Sequence, residues 1–140
     1  TYLDSKFPDA ELFGAKDNIQ QRALAYRWLA YVNSDVHKQF PPFFTTPGFI
    51  GDDTALHERV KKSAAASIIK TLKIADDHLA NREYLIEQIC IADIYLFVTL
   101  RWAKLLNISL DELPNLKGYY ERIATFEPLQ KAMAKEGVKA

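Results

Sequence analysis

Between Asp93 and Arg101 the chain reads Ile94-Tyr95-Leu96-Phe97-Val98-Thr99-Leu100, with no charge on any side. As a helix this run is apolar all round, and such a helix belongs in a protein core or in a membrane. A bilayer crossing takes about 20 apolar residues, so the stretch is too short for one and reads as the central helix of a soluble domain. Its start is marked as well. With Cys90 at the N-cap, Asp93 falls at N3, where its carboxylate can accept from the Cys90 backbone N–H and meet the positive end of the helix dipole. Ile89 and Ile94 stand at the two ends of a hydrophobic staple.

A chain of 140 residues, 49% of them hydrophobic, can build one domain with a proper core but not two ordinary ones. Lys plus Arg balance Asp plus Glu, 18 against 18, which leaves no electrostatic footprint for nucleic acid or an acidic membrane. The single cysteine cannot close an internal disulfide and suits a reducing compartment. Residues 1–14 mix Asp, Lys, Pro and Glu without an apolar block, unlike a signal peptide, and the expectation is a cytoplasmic protein. His37, His57 and His78 show no i,i+4 pairing, so no metal site is expected.

Taken in order, residues 1–16 look like a linker resting on something. Asp17 and Gln20 then form a capping-box pair, and Ala25, Leu29, Val32, Val36 and Phe40 make a core stripe that ends at Pro41-Pro42. Beside it, Tyr26, Ala30, Asn33 and His37 make a mixed stripe of the kind that borders a cleft or a partner. Residues 43–52 read as a loop. A long helix over about 53–79 buries Leu56, Val60, Ala64, Ile68, Leu72, Ala75 and Leu79 and turns Arg59, Lys61, Lys62, Lys70 and Lys73 to solvent. After the central helix, Ser109 and Glu112 form another capping box. Pro114 then opens a helix with Leu116, Tyr120, Ile123 and Ala124 inward, and a last helix closes at Gly137. No strand pattern or internal repeat occurs, and the reading is all-α.

The capped apolar helix ending in Arg101-Trp102 resembles the core helix of the C-terminal domain of glutathione transferases. In that family the helix opens with Ser/Thr-x-x-Asp. Here Cys90-Ile91-Ala92-Asp93 keeps the acid and replaces the hydroxyl, which should cost part of an N-cap's typical ~1 kcal/mol. The run from Val36 to Phe44, a His37-Lys38 pair followed by an aromatic and proline turn, is similar to bacterial beta-class members. So are Leu96 to Trp102 and the closing stretch Leu113 to Ile123 with Pro128 and Glu136-Gly137.

The resemblance implies a right-handed bundle of five or six helices over 17–140, with 1–16 as linker and tail of a thioredoxin-like domain that this stretch does not contain. It implies a transferase that brings glutathione, bound mainly by that other domain, to a small hydrophobic electrophile. The helical domain alone is expected to be inactive. By the same implication His37 is the catalytic candidate, His37, Lys38, Arg101 and Trp102 are the substrate-binding candidates, and Cys90 with Asp93 forms a structural N-cap. Family members often carry an Asn where Ala30 stands, with Asn33 as a substitute. The first two long helices imply a homodimer, in keeping with the surplus of aromatics at Tyr26, Trp28, Tyr31, Phe43 and Phe44. Each site residue also has a plainer role: His37 and Lys38 as helix C-terminal cations, Trp102 as core, Cys90 as inert packing. A non-catalytic module for protein association is the alternative, motivated by Ala30 and the altered cap.

Overall fold

The computed structural model describes residues 2–45 and 48–138; Thr1 and Pro47, assigned above to the linker and loop, lie outside them, as do 139–140. Among the described residues there are seven α-helices and no strand. They are α1 (Tyr2–Lys6), α2 (Ile19–Tyr31), α3 (Pro41–Phe44), α4 (Thr54–His78), α5 (Ile91–Leu105), α6 (Pro114–Ala124) and α7 (Glu127–Glu136). None is long and apolar enough to cross a membrane.

The apolar run becomes α5, packed against α2 on one side and α6 on the other. Ala92, Leu96, Phe97, Thr99, Leu100 and Ala103 are buried along it, and the Thr99 hydroxyl is satisfied by the Leu96 carbonyl at 2.8 Å. The expectation of burial all round needs one correction. Ile91, Tyr95, Val98 and Trp102, at i, i+4, i+7 and i+11, form a single stripe that stays half-buried. The core helix therefore shows one open edge.

Its start follows the sequence reading: Cys90 caps, and its backbone N–H donates to Asp93 Oδ2 at 2.8 Å. Sulfur is a poor acceptor, so the reciprocal bond from the Asp93 N–H is the weaker half of the box. Asp93 does more than cap. Its Oδ1 accepts from the Leu85 N–H and the Tyr119 hydroxyl, each at 2.9 Å, which ties the connection before α5 and the helix after it to one buried carboxylate. Tyr119 has no solvent exposure and was missing from the expected core of α6.

Two expected caps are replaced. Helix α2 is capped by Asn18, one residue later than Asp17, with Oδ1 accepting from the Gln21 N–H at 2.9 Å. The register is set by Gln21, which is buried while Gln20 is exposed; its Oε1 accepts from the Ala15 N–H at 2.7 Å and its amide reaches Glu87 at 3.3 Å. At α6, Ser109 bonds Asp111 within its own turn instead of opening a helix, and Leu113 takes the cap position ahead of Pro114. The acceptor that Leu113 cannot supply comes from α4: Asp76 Oδ1 takes the Leu116 N–H at 3.0 Å.

The N-terminal segment is docked. Leu12 accepts from the Ile91 N–H at 2.8 Å, Phe13 is buried and stacks on Tyr26 at 4.3 Å, and Arg22 pairs with Asp4 at 2.6 Å. Pro41 and Pro42 begin a short helix at its first two positions, where missing N–H groups cost nothing, so helical winding continues into 43–44, where a loop was expected. Helix α4 is capped by Asp53, whose side chain accepts from the Leu56 N–H, and Gly137 closes α7 with φ 67.

Candidate functional site

The open edge of α5 faces the end of the α2 segment, where the winding changes. Beyond Tyr31 the chain makes a wider turn over Val32–Val36, with the His37 N–H reaching back five residues to the Val32 carbonyl, and then tightens over His37–Gln39. Such an inserted residue is a recurrent feature of functional sites. Local side chains hold it. Ser34 donates to the Ala30 carbonyl at 2.8 Å, and Gln39 donates both to the Asp35 carbonyl at 2.6 Å and to Thr71 Oγ1 at 2.5 Å. Tyr31 bonds the Thr71 carbonyl at 2.7 Å, so the wide turn is fastened to α4.

This turn places His37 against α5. Its Nδ1 is hydrogen-bonded to the Tyr95 hydroxyl, and that hydroxyl donates to Asn33 Oδ1 at 3.2 Å. The imidazole edge meets the Trp102 ring at 4.8 Å, with planes 81° apart. Phe40, fully buried, and Phe44, which is 58% exposed, each lie 5.5 Å from Trp102. An imidazole thus sits at the lip of an aromatic box with one exposed side. Burial raises the Tyr95 pKa above the ordinary phenol value, so its hydroxyl keeps its proton at neutral pH. Among the described residues no three His, Cys, Asp or Glu side chains converge as metal ligands.

Of the four residues singled out for binding, the structure brings together His37 and Trp102. Lys38, about 100° further round the helix, is exposed and lines a separate groove with Pro42, Ala64, Lys70 and Ile74. Arg101 is half-buried about 100° around α5 from Trp102, and its charge acts on the Tyr120 hydroxyl of α6. Cys90 is far from a poised nucleophile: burial first, and the Asp93 charge next, push its thiol up to about 12. Tyr95 and Phe44 were not anticipated. The seven-residue spacing of Tyr95 and Trp102 places both on one helix face and could have flagged Tyr95 opposite the stripe of Asn33 and His37.

The described geometry has relatives. A family model described as glutathione S-transferase, C-terminal domain, matches residues 20–127. The glutathione S-transferase GST-4.5 of Xanthomonas campestris is 33% identical over 126 residues, 89% of this chain and 61% of that protein. Among solved structures, a glutathione S-transferase from Xylella fastidiosa superposes with a TM-score of 0.87 at 32% identity, covering 94% of this chain and 64% of its own. A beta-class enzyme from Sphingomonas chungbukensis gives 0.80 at 29%, covering 99% and 65%. The chain spans less than two thirds of the length of these relatives.

Proposed function

Because the chain belongs to the family of glutathione S-transferase C-terminal domains, we propose that it walls the substrate site of a glutathione transferase. The observation that carries this reading is the placement of His37 on the half-open edge of α5, fixed by Tyr95 and flanked by Trp102. In the complete protein the glutathione sulfur attacks, or is exchanged at, an electrophilic centre. The thioredoxin-like region that the family pairs with this domain would hold most of the tripeptide, and the helical domain alone would not turn substrate over. His37 would meet the sulfur as a hydrogen-bond and proton-transfer partner. Trp102 and the exposed Phe44 would pack the apolar part of the substrate. Lys38 and Arg101 would act at the margins through their charge, since neither shares the His37 face.

The same reading includes a cytoplasmic homodimer. The apolar side chains left outside the core on α2 and α4, Leu24, Tyr26 and Ile74, are 43%, 39% and 56% exposed and offer a surface for a second copy. Light scattering on the purified protein reads the oligomeric state, and a monomer would remove this part. The association-module alternative loses one of its two motives, because the altered cap still delivers the bond from Cys90 to Asp93.

Turnover of a chloronitrobenzene-type electrophile with glutathione, measured on the complete protein, tests the assignment. His37→Ala should lower the rate on the order of tenfold or more, the effect of losing a contact of about 1.4 kcal/mol. Equal rates for the parent and variant would strike His37 from the site.

A further inference from the structure

The contact that fixes His37 also decides which of its nitrogens carries the proton. Three polar groups share the chain His37 Nδ1, Tyr95 hydroxyl, Asn33 Oδ1. A phenol has one proton to give, and Asn33 presents a carbonyl oxygen, which only accepts. With the Tyr95 proton directed at Asn33, the remaining lone pair of the hydroxyl faces His37, and the Nδ1 must supply the hydrogen. We infer that Tyr95 is a positioning residue that holds neutral His37 in its Nδ1–H form, so that Nε2 carries the lone pair. This inference rests on the functional reading of His37 given above. It states what that histidine does: it is set to accept a proton from a thiol instead of donating one to a thiolate.

The arrangement is built from two helices. Asn33 and His37 are one turn apart on the widened segment, and Tyr95 comes from the open edge of α5. Trp102 closes one side of the imidazole, with ring centroids 4.8 Å apart and planes 81° to each other. Nε2 has no protein partner among the described residues, while Nδ1 is taken. A hydrogen bond to one ring nitrogen is a general way in which proteins choose the tautomer that the other nitrogen presents.

Nitrogen-15 correlation spectra of the histidine rings, recorded on this chain at a pH where imidazole is neutral, test the inference directly. The expected parent signal is a protonated Nδ1 and a bare Nε2 for His37. Tyr95→Phe keeps the ring and removes the hydroxyl, and should move the majority of His37 to the Nε2–H form. Asn33→Ala, on the exposed side, should do the same by freeing the Tyr95 proton to turn toward Nδ1. A bare Nδ1 in the parent, or an unchanged tautomer in both variants, would overturn the proposal. The two levels separate cleanly. Loss of turnover in His37→Ala with no tautomer change in the variants sinks the positioning role alone, whereas a tautomer change with undiminished turnover in His37→Ala sinks the functional reading on which it rests.

Discussion

Tyr119 donates its hydroxyl to the Asp93 carboxylate across 2.9 Å, and neither side chain retains any solvent exposure. The same carboxylate accepts from the backbone of Leu85 and Cys90, so one buried acid joins the connection before α5 and the start of that helix to α6. Burial raises its pKa, and the donors around it pull the other way. Asp93→Ala would strand three buried donors at about 1–3 kcal/mol each, a loss on the order of 4 kcal/mol. Asp93→Asn should cost about half as much, because one acceptor oxygen survives. Tyr119→Phe should cost about 1–2 kcal/mol. Urea denaturation should rank the three in that order; a mild Asp93→Ala would show that the hub does not hold the fold.

Asp76 caps a helix to which it does not belong. It is buried on α4, yet its Oδ1 takes the Leu116 N–H and its Oδ2 lies 3.3 Å from the Asn115 amide at the start of α6. Asp76→Ala should destabilise the protein by about 1–2 kcal/mol, the range for losing an N-cap acceptor with a buried donor left behind. Hydrogen exchange should show the first turn of α6 opening before the rest, and uniform loss of protection would argue against the capping role.

Cys90 should be silent toward thiol reagents in the folded state. Its thiol is buried and pushed up to about 12, against an ordinary value of 9.0, so almost no thiolate exists at neutral pH. Disulfide-forming reagents should label it only on unfolding. The sign of the linkage follows: the unfolded thiol ionises first, so the fold loses stability from this group as pH rises from 9.0 toward about 12, and gains nothing from it below that window. Rapid labelling of the native protein would contradict this.

Two glycines should respond oppositely to alanine. At Gly14 the backbone has φ 86, and a Cβ would stand 2.6 Å from Gln21 Oε1, the acceptor that sets the start of α2. Gly14→Ala should cost about 1–3 kcal/mol through left-handed strain and displacement of that amide. Gly118 lies inside α6 with open space around it, and Gly118→Ala should add about 0.5–1 kcal/mol. Thermal melts that moved both variants in the same direction would refute the pair.

The helices that carry long apolar stripes were legible from the chain: α4 and α5 lie where periodicity put them, and α5 starts at the Cys90-to-Asp93 box. What periodicity could not reveal were effects decided by distant partners. Gln21 shifted a cap through bonds to Ala15 and Glu87, and Asp76 supplied the α6 cap from 40 residues away, leaving Ser109 to its own turn. At the site, His37 and Trp102 were named from resemblance to a family, while Tyr95 looked like one more apolar-run residue. Its role depends on which side of α5 remains uncovered, and that is settled by what the neighbouring helices fail to reach.

The widened turn over Val32–Val36 has a consequence of its own. Deleting one residue from it would let the turn close to ordinary α winding, with the His37 N–H still over the Val32 carbonyl. His37 would keep its face toward Tyr95 and Trp102, whereas Asn33, inside the turn, would change its angle to the histidine. The extra residue thus sets how Asn33 stands to the imidazole, and a single codon lost between the two would loosen the relay through Tyr95 before it disturbed the histidine itself.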